Sequence, residues 1–596
     1  MTTTTWRRAS LAVMLTATAV AYLWNITING MGNQFYAAAA QAGSTNLEAL
    51  LFGSLDAHNF ITVDKPPVSQ WVMGLSGQVF GFSSASMLVP QALMAVGAVA
   101  LLYGAVARVC GPCAGLLAGA VLALTPVATL MFRFNNPDAV MVLLMTAAAY
   151  CTVRALPGAS AKWLAWAGVA LGFAFLAKML EGLMVAPALA TAYLCAAPTT
   201  LRNRILHVLG AAAAFVVSAG WFVLLTLMWP ASSRPYIAGS SDNNFMNLVL
   251  GYNGFARVLG RNHGGFDVDK PVDAFGAQSQ GWSRLFSGEF GFEIGWLVPV
   301  ALLAAVLVML SRRREPRTDM VRAAAIMFGG WLVVDGVVLS FMHGMIHPYY
   351  SLSIAPAIAA LFAMGVREMW WNLRVLAAML LGTGLWAWWI LGRNSGWLPQ
   401  LRWTILAVTA IAAVMLACRW SARRGFALAA VSAGLIGALA GPAAYAIATI
   451  GQPHHGGGPT VGPAVAARSH MFDQSDDNPG LDAILKGSGT TWSAAINRSS
   501  SAASLELGSG TSVMAIGGFS GTDPTPTLEQ FQDDVAQHKV AYYVVVNNRG
   551  HAPARPNRGH ADIAAWVSAS FRSTTVGDAT VYDLSAPKTA GSVPAR

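Results

Sequence analysis

Long apolar runs, separated by short polar segments, fill the first three quarters of the chain. A helix that crosses a bilayer needs about 20 mostly apolar residues, and thirteen stretches approach or reach that length. They lie at residues 10–29, 86–107, 113–131, 138–153, 163–180, 182–199, 206–229, 293–311, 323–342, 349–366, 374–392, 402–418 and 426–450. The pattern predicts a polytopic α-helical membrane protein of about 13 spans, with the first run a retained helix and not a cleaved signal peptide.

The composition supports this prediction. Of the 596 residues, 55% are hydrophobic and only 11% are charged, and the mean hydropathy is +0.51. A soluble domain carries about 25% charged residues. The composition therefore excludes a water-soluble enzyme and a disordered scaffold.

The positive charges fall on one side of the predicted membrane. If the N-terminus is cytoplasmic and the spans alternate, 17 of the 27 lysines and arginines before residue 452 lie in cytoplasmic loops. Cytoplasmic loops are enriched in these residues. We therefore expect a multi-pass plasma-membrane protein with an extracytoplasmic C-terminus, and we assign the net charge of +10 to this asymmetry and not to nucleic-acid binding.

The chain divides into a membrane domain and a soluble tail. We predict a transmembrane domain over residues 1–451 with large outer loops at 30–85 and 230–292, a Gly/His/Pro linker over 452–469, and an extracytoplasmic α/β domain over 470–596. In the tail, strands are expected at 512–516, 540–546 and 574–584, and helices at 527–538 and 561–570. The glycine-rich segment 515–521 follows the first of these strands and is a candidate cradle for a phosphate or a sugar, without a complete phosphate-loop signature.

Three polar motifs lie at the predicted outer face. The first is Asp64-Lys65-Pro66-Pro67 in the first large loop. Two prolines restrict the backbone after an acid–base pair, which favours a fixed site. A capped turn before the next segment explains the motif equally well.

The second motif, Arg133-Phe-Asn-Asn-Pro-Asp138, separates two predicted helices. Acids are favoured in the first turn of a helix, so Asp138 could serve only as a cap. An acid beside an arginine at a membrane boundary is also a functional-site candidate.

The third motif is His343-Gly-Met-Ile-His347-Pro-Tyr349-Tyr350. Histidines four residues apart could share a helix face and bind a metal, although Pro348 makes a turn an equal alternative.

Other charged residues are weaker candidates for a functional site. Arg234 and Arg257, in the second large loop, have the forked guanidinium that suits a phosphate, but they could simply be solvated. Asp335 lies deep in a predicted span, where pairing with a polar group of another helix is the simpler interpretation. Lys178 and Glu181 could form an i, i+3 pair at a helix end.

The joint order of the three motifs resembles the polyprenyl-phosphate-dependent glycosyltransferases of the C-type membrane fold. That superfamily includes the protein O-mannosyltransferases and the lipid A aminoarabinose transferases. The chain is most similar in kind to the YkcA/YkcB-related branch of bacterial family 39, and the resemblance includes the C-terminal domain with its segment 513–519.

The resemblance implies an inverting hexosyltransferase. It would move a hexose, by family default mannose, from a polyprenyl-phosphate donor to an extracytoplasmic protein, lipid or glycan acceptor. A carboxylate would deprotonate the acceptor, and cations would stabilise the leaving lipid phosphate. Catalytic candidates are Asp138, Asp64 and Asp56, and candidates for donor phosphate binding are Lys65, Arg133, Arg234, Arg257, Tyr349 and Tyr350. Asp64 matches an acid that can meet a divalent metal ion, a candidate cofactor for which His347 is a second candidate ligand.

One position departs from the family pattern. The superfamily usually has an acid soon after the first helix, and here that stretch reads Met31-Gly-Asn33-Gln-Phe-Tyr36. The identity of the general base is therefore open, with Asp138 and Asp64 ranked ahead of Asp56.

Two other functions are compatible with the sequence. A transporter or flippase of a lipid-linked or cell-envelope substrate would place ionisable groups at mid-membrane, often with inverted repeats, and only Asp335 and the Lys178/Glu181 pair are deep here. A non-catalytic scaffold that binds through its exported domain is the third, because no acid stands at Asn33.

Overall fold

The computed structural model describes residues 3–255, 257, 280–344, 346–418, 424–463, 478–546 and 559–588. Within these ranges, ten helical segments are long and apolar enough to cross a membrane. They are Thr5–Asn29, Ser84–Cys110, Asp138–Ala155, Ala161–Leu183, Leu201–Met228, Met320–Phe341, Pro348–Trp371, Leu373–Gly392, Pro399–Ala417 and Arg424–Ile450. The predicted class, a polytopic helical membrane protein with a small C-terminal α/β domain, is confirmed.

Three shorter apolar helices occupy the remaining predicted spans. Pro112–Ala123, Ala186–Ala196 and Val298–Ser311 have 12, 11 and 14 residues. At a rise of about 1.5 Å per residue they are shorter than the apolar thickness of a bilayer. In the described chain, ten spans are thus supported, and the predicted number of 13 is not.

Proline and polar caps set several helix boundaries. A Ser83–Ser86 capping box begins the helix Ser84–Cys110, and Pro112 begins the next helix directly after Gly111. Gly111 has φ +87°, a conformation that favours glycine. The turn thus explains the Cys110-Gly-Pro-Cys113 sequence without a metal.

The predicted first outer loop is folded. It contains the helices Gln34–Thr45, Leu47–Phe52 and Val68–Phe80. The segment between the last two of these helices pairs with the second outer loop. There, Tyr236 donates its backbone N–H to the carbonyl of Phe60 (3.0 Å). The second loop continues through the short helix Phe245–Asn247 and the π-helical stretch Leu248–Phe255, and its residues 258–279 lie outside the described residues. The two outer loops are therefore hydrogen-bonded to each other and fold together.

A five-stranded sheet forms the core of the C-terminal domain. The strands are β1 (Trp492–Asn497), β2 (Val513–Ile516), β3 (Val540–Val546), β4 (Phe571–Val576) and β5 (Ala579–Pro587), in the order β2-β1-β3-β5-β4. β1 is parallel to β2 and β3, and β5 is antiparallel to β3 and β4. The helices of this domain are Pro479–Lys486, Ser499–Ser509, Leu528–Ala536 and Ala561–Ser570.

The sequence prediction for this domain differs at two places. The strand expected at 574–584 is a hairpin of β4 and β5, turned at Gly577 with φ +62°, a conformation that two-residue hairpin turns require. The segment 478–509, for which the sequence indicates no element, contains two helices and strand β1, which lies between β2 and β3. Strand β1 reads Trp-Ser-Ala-Ala-Ile-Asn, which carries little β-branched signal.

The C-terminal domain packs on the outer loops. Its helix Ser499–Ser509 contacts the helix Gln34–Thr45, and the rings of Phe519 and Phe35 lie 5.1 Å apart. Trp492 donates its indole N–H to Asp56 (3.1 Å). The tail is thus attached to the membrane domain by aromatic packing and by a buried hydrogen bond.

Candidate active site

The centre of the candidate site is a buried lysine between two acids. Lys178 ends the helix Ala161–Lys178, and Asp138 begins the helix Asp138–Ala155 directly after Pro137. The Lys178 Nζ lies 2.7 Å from Asp138 Oδ1 and 3.0 Å from Glu181 Oε2. Lys178 and Asp138 are both buried. The ion pairs therefore compensate charges that water does not reach at this end of the helix bundle.

Two tyrosines cover this ion pair. The Lys178 Nζ lies 3.8 Å from the centre of the Tyr350 ring and 5.7 Å from that of Tyr349. The Tyr350 hydroxyl accepts a hydrogen bond from Arg257 Nη1 (3.0 Å). Pro348 starts the 3₁₀ turn that places both tyrosines here. Tyr350 therefore links a lysine from one helix with an arginine from the second outer loop.

The first motif is held by the second outer loop. Lys65 donates from Nζ to Asp64 Oδ2 (3.1 Å) and to Asn253 Oδ1 (3.0 Å), and Asn253 Nδ2 donates to the Asp64 carbonyl (3.0 Å). The two prolines after Lys65 end this turn, and the helix Val68–Phe80 begins directly after Pro67. The predicted fixed acid–base pair thus has a structural basis.

We call the set formed by these charged and aromatic side chains the rim cluster. It consists of Asp64, Lys65, Asp138, Lys178, Glu181, Arg257, Tyr349 and Tyr350. Burial lowers the pKa of Lys65 to about 8, opposed by the Asp64 carboxylate and assisted by Arg257 and Lys178. The three cations are therefore close enough to affect one another, as the binding of one anion by all three requires.

A network of asparagines supports the cluster at the position where the family pattern has an acid. Asn33 donates its backbone N–H to Asn135 Oδ1 (2.8 Å) and its Nδ2 to Asn136 Oδ1 (3.3 Å). Its own Oδ1 accepts from Phe35 N and begins the helix Gln34–Thr45. Next along that helix, Tyr36 is buried, and burial together with the charges of Asp64 and Asp138 raises its pKa. Asn33 thus acts as a structural cap.

The two predicted metal ligands have poor surroundings for a cation. Within the described ranges, no group of three or more His, Cys, Asp or Glu side chains could hold a metal. Asp64 is paired with Lys65, and the ring of His347 stacks on Tyr349 at 5.0 Å. Burial and the charges of Arg257, Lys178 and Lys65 lower the pKa of His347 to about 3. Among the described residues, Asp64 and His347 therefore lack the further ligands that a divalent cation needs.

Besides His347, three predicted site residues lie outside the rim cluster, namely Asp56, Arg133 and Arg234. Asp56 is buried and accepts from the backbone N–H groups of His58 and Phe60 (2.9 Å each) as well as from Trp492. Burial raises its pKa. Its carboxylate therefore joins the first outer loop to the C-terminal domain, and its catalytic role stays a prediction.

Arg133 and Arg234 also make contacts within the protein. The Arg133 guanidinium donates to the carbonyls of Tyr22 (2.6 Å) and Trp24 (2.8 Å) at the end of the first helix. Arg234 donates to the side chain and the backbone of Asn243 (2.6 and 2.7 Å), whereas its Nε has no hydrogen-bond partner in the described structure. These contacts give both residues a structural role, and their phosphate contact stays a prediction.

The glycine-rich segment 515–521 uses some of its backbone N–H groups within its own loop. Gly517 donates its backbone N–H to Thr525, and Gly521 to Gly518 (2.9 and 3.3 Å to the carbonyl oxygens). These two N–H groups face the loop itself and are not available to cradle an anion.

Sequence reasoning treated Lys178 and Glu181 as a local pair and gave Asn253 no role. An ionisable residue inside an apolar segment is a functional candidate by default, and Lys178 is such a residue. The other deep acid, Asp335, accepts from Trp331 Nε1 (3.0 Å) on its own helix.

Comparisons with known proteins agree with this architecture. The family model "Dolichyl-phosphate-mannose-protein mannosyltransferase" matches residues 64–223, and the model "Putative mannosyltransferase YkcB-like, C-terminal" matches residues 482–570. The Bacillus subtilis protein "Putative mannosyltransferase YkcB" is 27% identical, over 94% of this chain and 90% of that protein.

Two solved structures share the fold. ArnT from Cupriavidus metallidurans, bound to undecaprenyl phosphate, covers 98% of both chains with a TM-score of 0.53 and 16% identity. The archaeal oligosaccharyltransferase AglB from Archaeoglobus fulgidus, in complex with an inhibitory peptide and a dolichol-phosphate, covers 90% of this chain and 69% of that chain, with a TM-score of 0.50 and 13% identity.

The fold and the matches together define a membrane glycosyltransferase with the C-type fold. The membrane domain matches the first family model and the C-terminal domain matches the second. The first match begins at Asp64, the first residue of the rim cluster. The chain is similar to the YkcB-related branch of the family 39 membrane glycosyltransferases.

Proposed function

We propose that this protein transfers a hexose, with mannose as the first candidate, from a polyprenyl-phosphate donor to an extracytoplasmic acceptor. The observation that supports this proposal is the rim cluster, in which Lys65, Lys178 and Arg257 meet two tyrosines at the end of apolar helices. ArnT and AglB, which share the fold, are bound to polyprenyl phosphates in their structures.

The charges of the cluster suit a lipid phosphate. Its three cations are balanced by Asp64, Asp138 and Glu181, so the donor phosphate would enter a site whose own charge is compensated. Arg257 and the Tyr350 hydroxyl provide directed donors, and Lys65 and Lys178 provide compact positive charges. The lipid tail would lie along the apolar helices that end at the cluster.

The reaction follows from these contacts. The acceptor oxygen attacks the anomeric carbon from the side opposite to the phosphate, the bond from that carbon to the phosphate oxygen breaks, and an acidic side chain takes the acceptor proton. The lipid phosphate leaves as an anion that Lys65, Lys178 and Arg257 stabilise, so it needs no general acid. The configuration at the anomeric carbon inverts. No step uses a metal ion.

Asp64 and Asp138 each have a lysine partner in the structure. Each carboxylate thereby holds a lysine ammonium in place. We propose that both acids orient the cations, and that the protein is inserted with its N-terminus in the cytoplasm and the rim cluster and tail outside.

A donor panel tests the function. Purified full-length protein in lipid nanodiscs would be incubated with undecaprenyl-phosphate mannose, glucose and arabinose, with an envelope extract as the acceptor source, and the products would be identified by mass spectrometry. We expect release of undecaprenyl phosphate and glycosylation of an extract component with one sugar, and loss of both in Lys65→Ala. Transfer of intact donor across sealed vesicles without a new glycosidic bond would instead show the transporter.

A further inference from the structure

The C-terminal domain reaches the rim cluster through one loop. The loop Gly517–Asp523 follows β2, and its two ends contact different parts of the membrane domain. Phe519 packs on Phe35, whose own ring lies 5.2 Å from that of Tyr36. At the other end, Asp523 Oδ2 accepts the backbone N–H of Gly239 at 2.8 Å. The loop therefore lies above the helix that carries Tyr36 and beside the second outer loop.

The position of Gly239 brings the Asp523 carboxylate near Asp64. The neighbouring Ala238 donates its N–H to Thr62 Oγ1 (3.1 Å), so this strand-like segment runs beside residues 62–64. A Cβ atom at Gly239 would lie 3.1 Å from the Tyr252 ring, and the next residue, Asn253, holds both Asp64 and Lys65. Asp523 is thus linked to the first motif of the rim cluster by its bond to Gly239 and by the bond from Ala238 to Thr62.

Glycines make room for this carboxylate. Gly518 has φ +66°, and a Cβ atom placed there would lie only 2.0 Å from Asp523 Oδ2. Gly517 has φ +74° and would place its Cβ atom 2.5 Å from the backbone of Gly521. Both the backbone conformation and the space exclude a side chain at these positions. The sequence of the loop therefore fixes one side chain, that of Asp523, against the outer loops.

Asp523 differs from the other acids near the cluster. Asp64, Asp138 and Glu181 each have a lysine partner, whereas no lysine or arginine of the described chain lies within ion-pair distance of Asp523. A good proton acceptor has a pKa near the working pH. Burial, with a smaller contribution from the Asp64 charge, raises the pKa of Asp523 to about 7.

We propose that Asp523, carried by the C-terminal domain, is the general base that takes the proton from the acceptor hydroxyl. It would supply the carboxylate that the family pattern places after the first helix, where this chain has Asn33. In the reaction, the acceptor O–H bond breaks with its proton going to Asp523, the new bond forms from the acceptor oxygen to the anomeric carbon, and the lipid phosphate leaves with the electron pair. This inference rests on the proposed function.

The groups around Asp523 are compatible with this role. The Asp64 carboxylate is close enough to raise its pKa, and Tyr236 and Tyr252 of the second outer loop are close enough to be affected by its charge. In its own domain, His560 Nε2 bonds the Asp523 carbonyl (2.8 Å), and the Arg498 side chain lies against Gly521. Neither of these two groups is an ion-pair partner of the carboxylate in the described structure.

The test compares Asp523→Asn with Asp533→Asn in the full-length protein. An asparagine keeps an oxygen for the Gly239 N–H but cannot take a proton, and Asp533 is an exposed acid of the same domain. With undecaprenyl-phosphate mannose as the donor probe, we expect kcat to fall by about 100-fold or more in Asp523→Asn, with undecaprenyl phosphate affinity unchanged within about twofold. The wild-type rate should rise as the pH increases through about 7, and this increase should be absent from the variant.

Each alternative outcome has a clear meaning. Wild-type kcat in Asp523→Asn, or a retained pH dependence, would overturn the inference. A loss of activity accompanied by easier proteolytic release of the C-terminal domain would overturn it in favour of a docking role. If the wild-type protein cleaves none of the panel donors, the proposed function itself fails, whatever Asp523 does.

Discussion

The ammonium nitrogen of Lys178 lies 2.7 Å from the Oδ1 oxygen of Asp138, although the two residues are 40 positions apart in the chain. The contact joins the end of one membrane helix to the start of another. The second carboxylate oxygen of Asp138, Oδ2, has no hydrogen-bond partner in the described structure. Lys178 is therefore the main compensation for a buried carboxylate, and it also faces Tyr350. Any anion that binds at Tyr350 would share this lysine with Asp138.

Replacement of Lys178 should abolish transfer. In Lys178→Ala, Asp138 and Glu181 lose their counter-ion, and removing one member of a buried pair costs about 3–5 kcal/mol. We expect donor turnover to fall by at least about 100-fold, together with undecaprenyl phosphate affinity. Lys162→Ala is the matched control, because Lys162 is exposed near the other end of the same helix. Normal turnover in Lys178→Ala would exclude the cluster as the donor site.

The contact between Arg257 and Tyr350 should be measurable as a coupling energy. Tyr350→Phe removes the hydroxyl that accepts from Arg257 Nη1, and hydrogen bonds to charged groups contribute about 1.5–3 kcal/mol. We expect undecaprenyl phosphate to bind about tenfold more weakly in Tyr350→Phe. In a double-mutant cycle with Arg257→Lys, the two losses should be less than additive. Fully additive losses would mean that the two groups act separately.

The affinity for a lipid phosphate should fall at alkaline pH. The pKa of Lys65 is lowered to about 8, so its ammonium form predominates at neutral pH and is lost as the pH rises through 8. Titration of undecaprenyl phosphate binding between pH 6.5 and 9.5 should show this decrease. In Lys65→Arg the decrease should disappear, because a guanidinium stays protonated in this range. An identical decrease in the variant would assign the titration to another group.

Asp56 should matter for domain attachment and not for chemistry. Asp56→Ala removes the acceptor of two backbone N–H groups and of Trp492. We expect the C-terminal domain to be cleaved from the membrane domain by trypsin at a lower concentration than in the wild type, with undecaprenyl phosphate affinity unchanged. Trp492→Phe should reproduce part of this effect. A large loss of kcat with undiminished protease resistance would restore Asp56 as a catalytic candidate.

Chelation offers a check on the role of the cations. Because three basic side chains surround the proposed phosphate position, we expect donor turnover to remain within about twofold after treatment with EDTA. Loss of turnover that added Mg²⁺ or Mn²⁺ restores would contradict this expectation, and it would revive Asp64 and His347 as ligands.

Local patterns predicted the spans, the order of the motifs and most elements of the tail, because apolar run length and strand periodicity act over short distances. They also pointed to Asp64, Lys65, Asp138, Tyr349 and Tyr350, since polar residues at a membrane boundary are unusual. The partner of Asp138 could not be read in this way, because Lys178 reaches it only through helix packing. For the same reason, the roles of Asn253, Arg133 and Asp523 became visible only when distant segments were brought together.

The guanidinium of Arg133 fastens the last turn of the first membrane helix to the segment that precedes Asp138. The first membrane helix, which precedes the segment that contains Asn33, is thereby fixed in position. Loss of this arginine should disturb donor turnover through the position of this helix. An alanine scan scored by activity alone would not separate this effect from a lost phosphate contact, so measurements on this residue should be paired with a test of helix insertion.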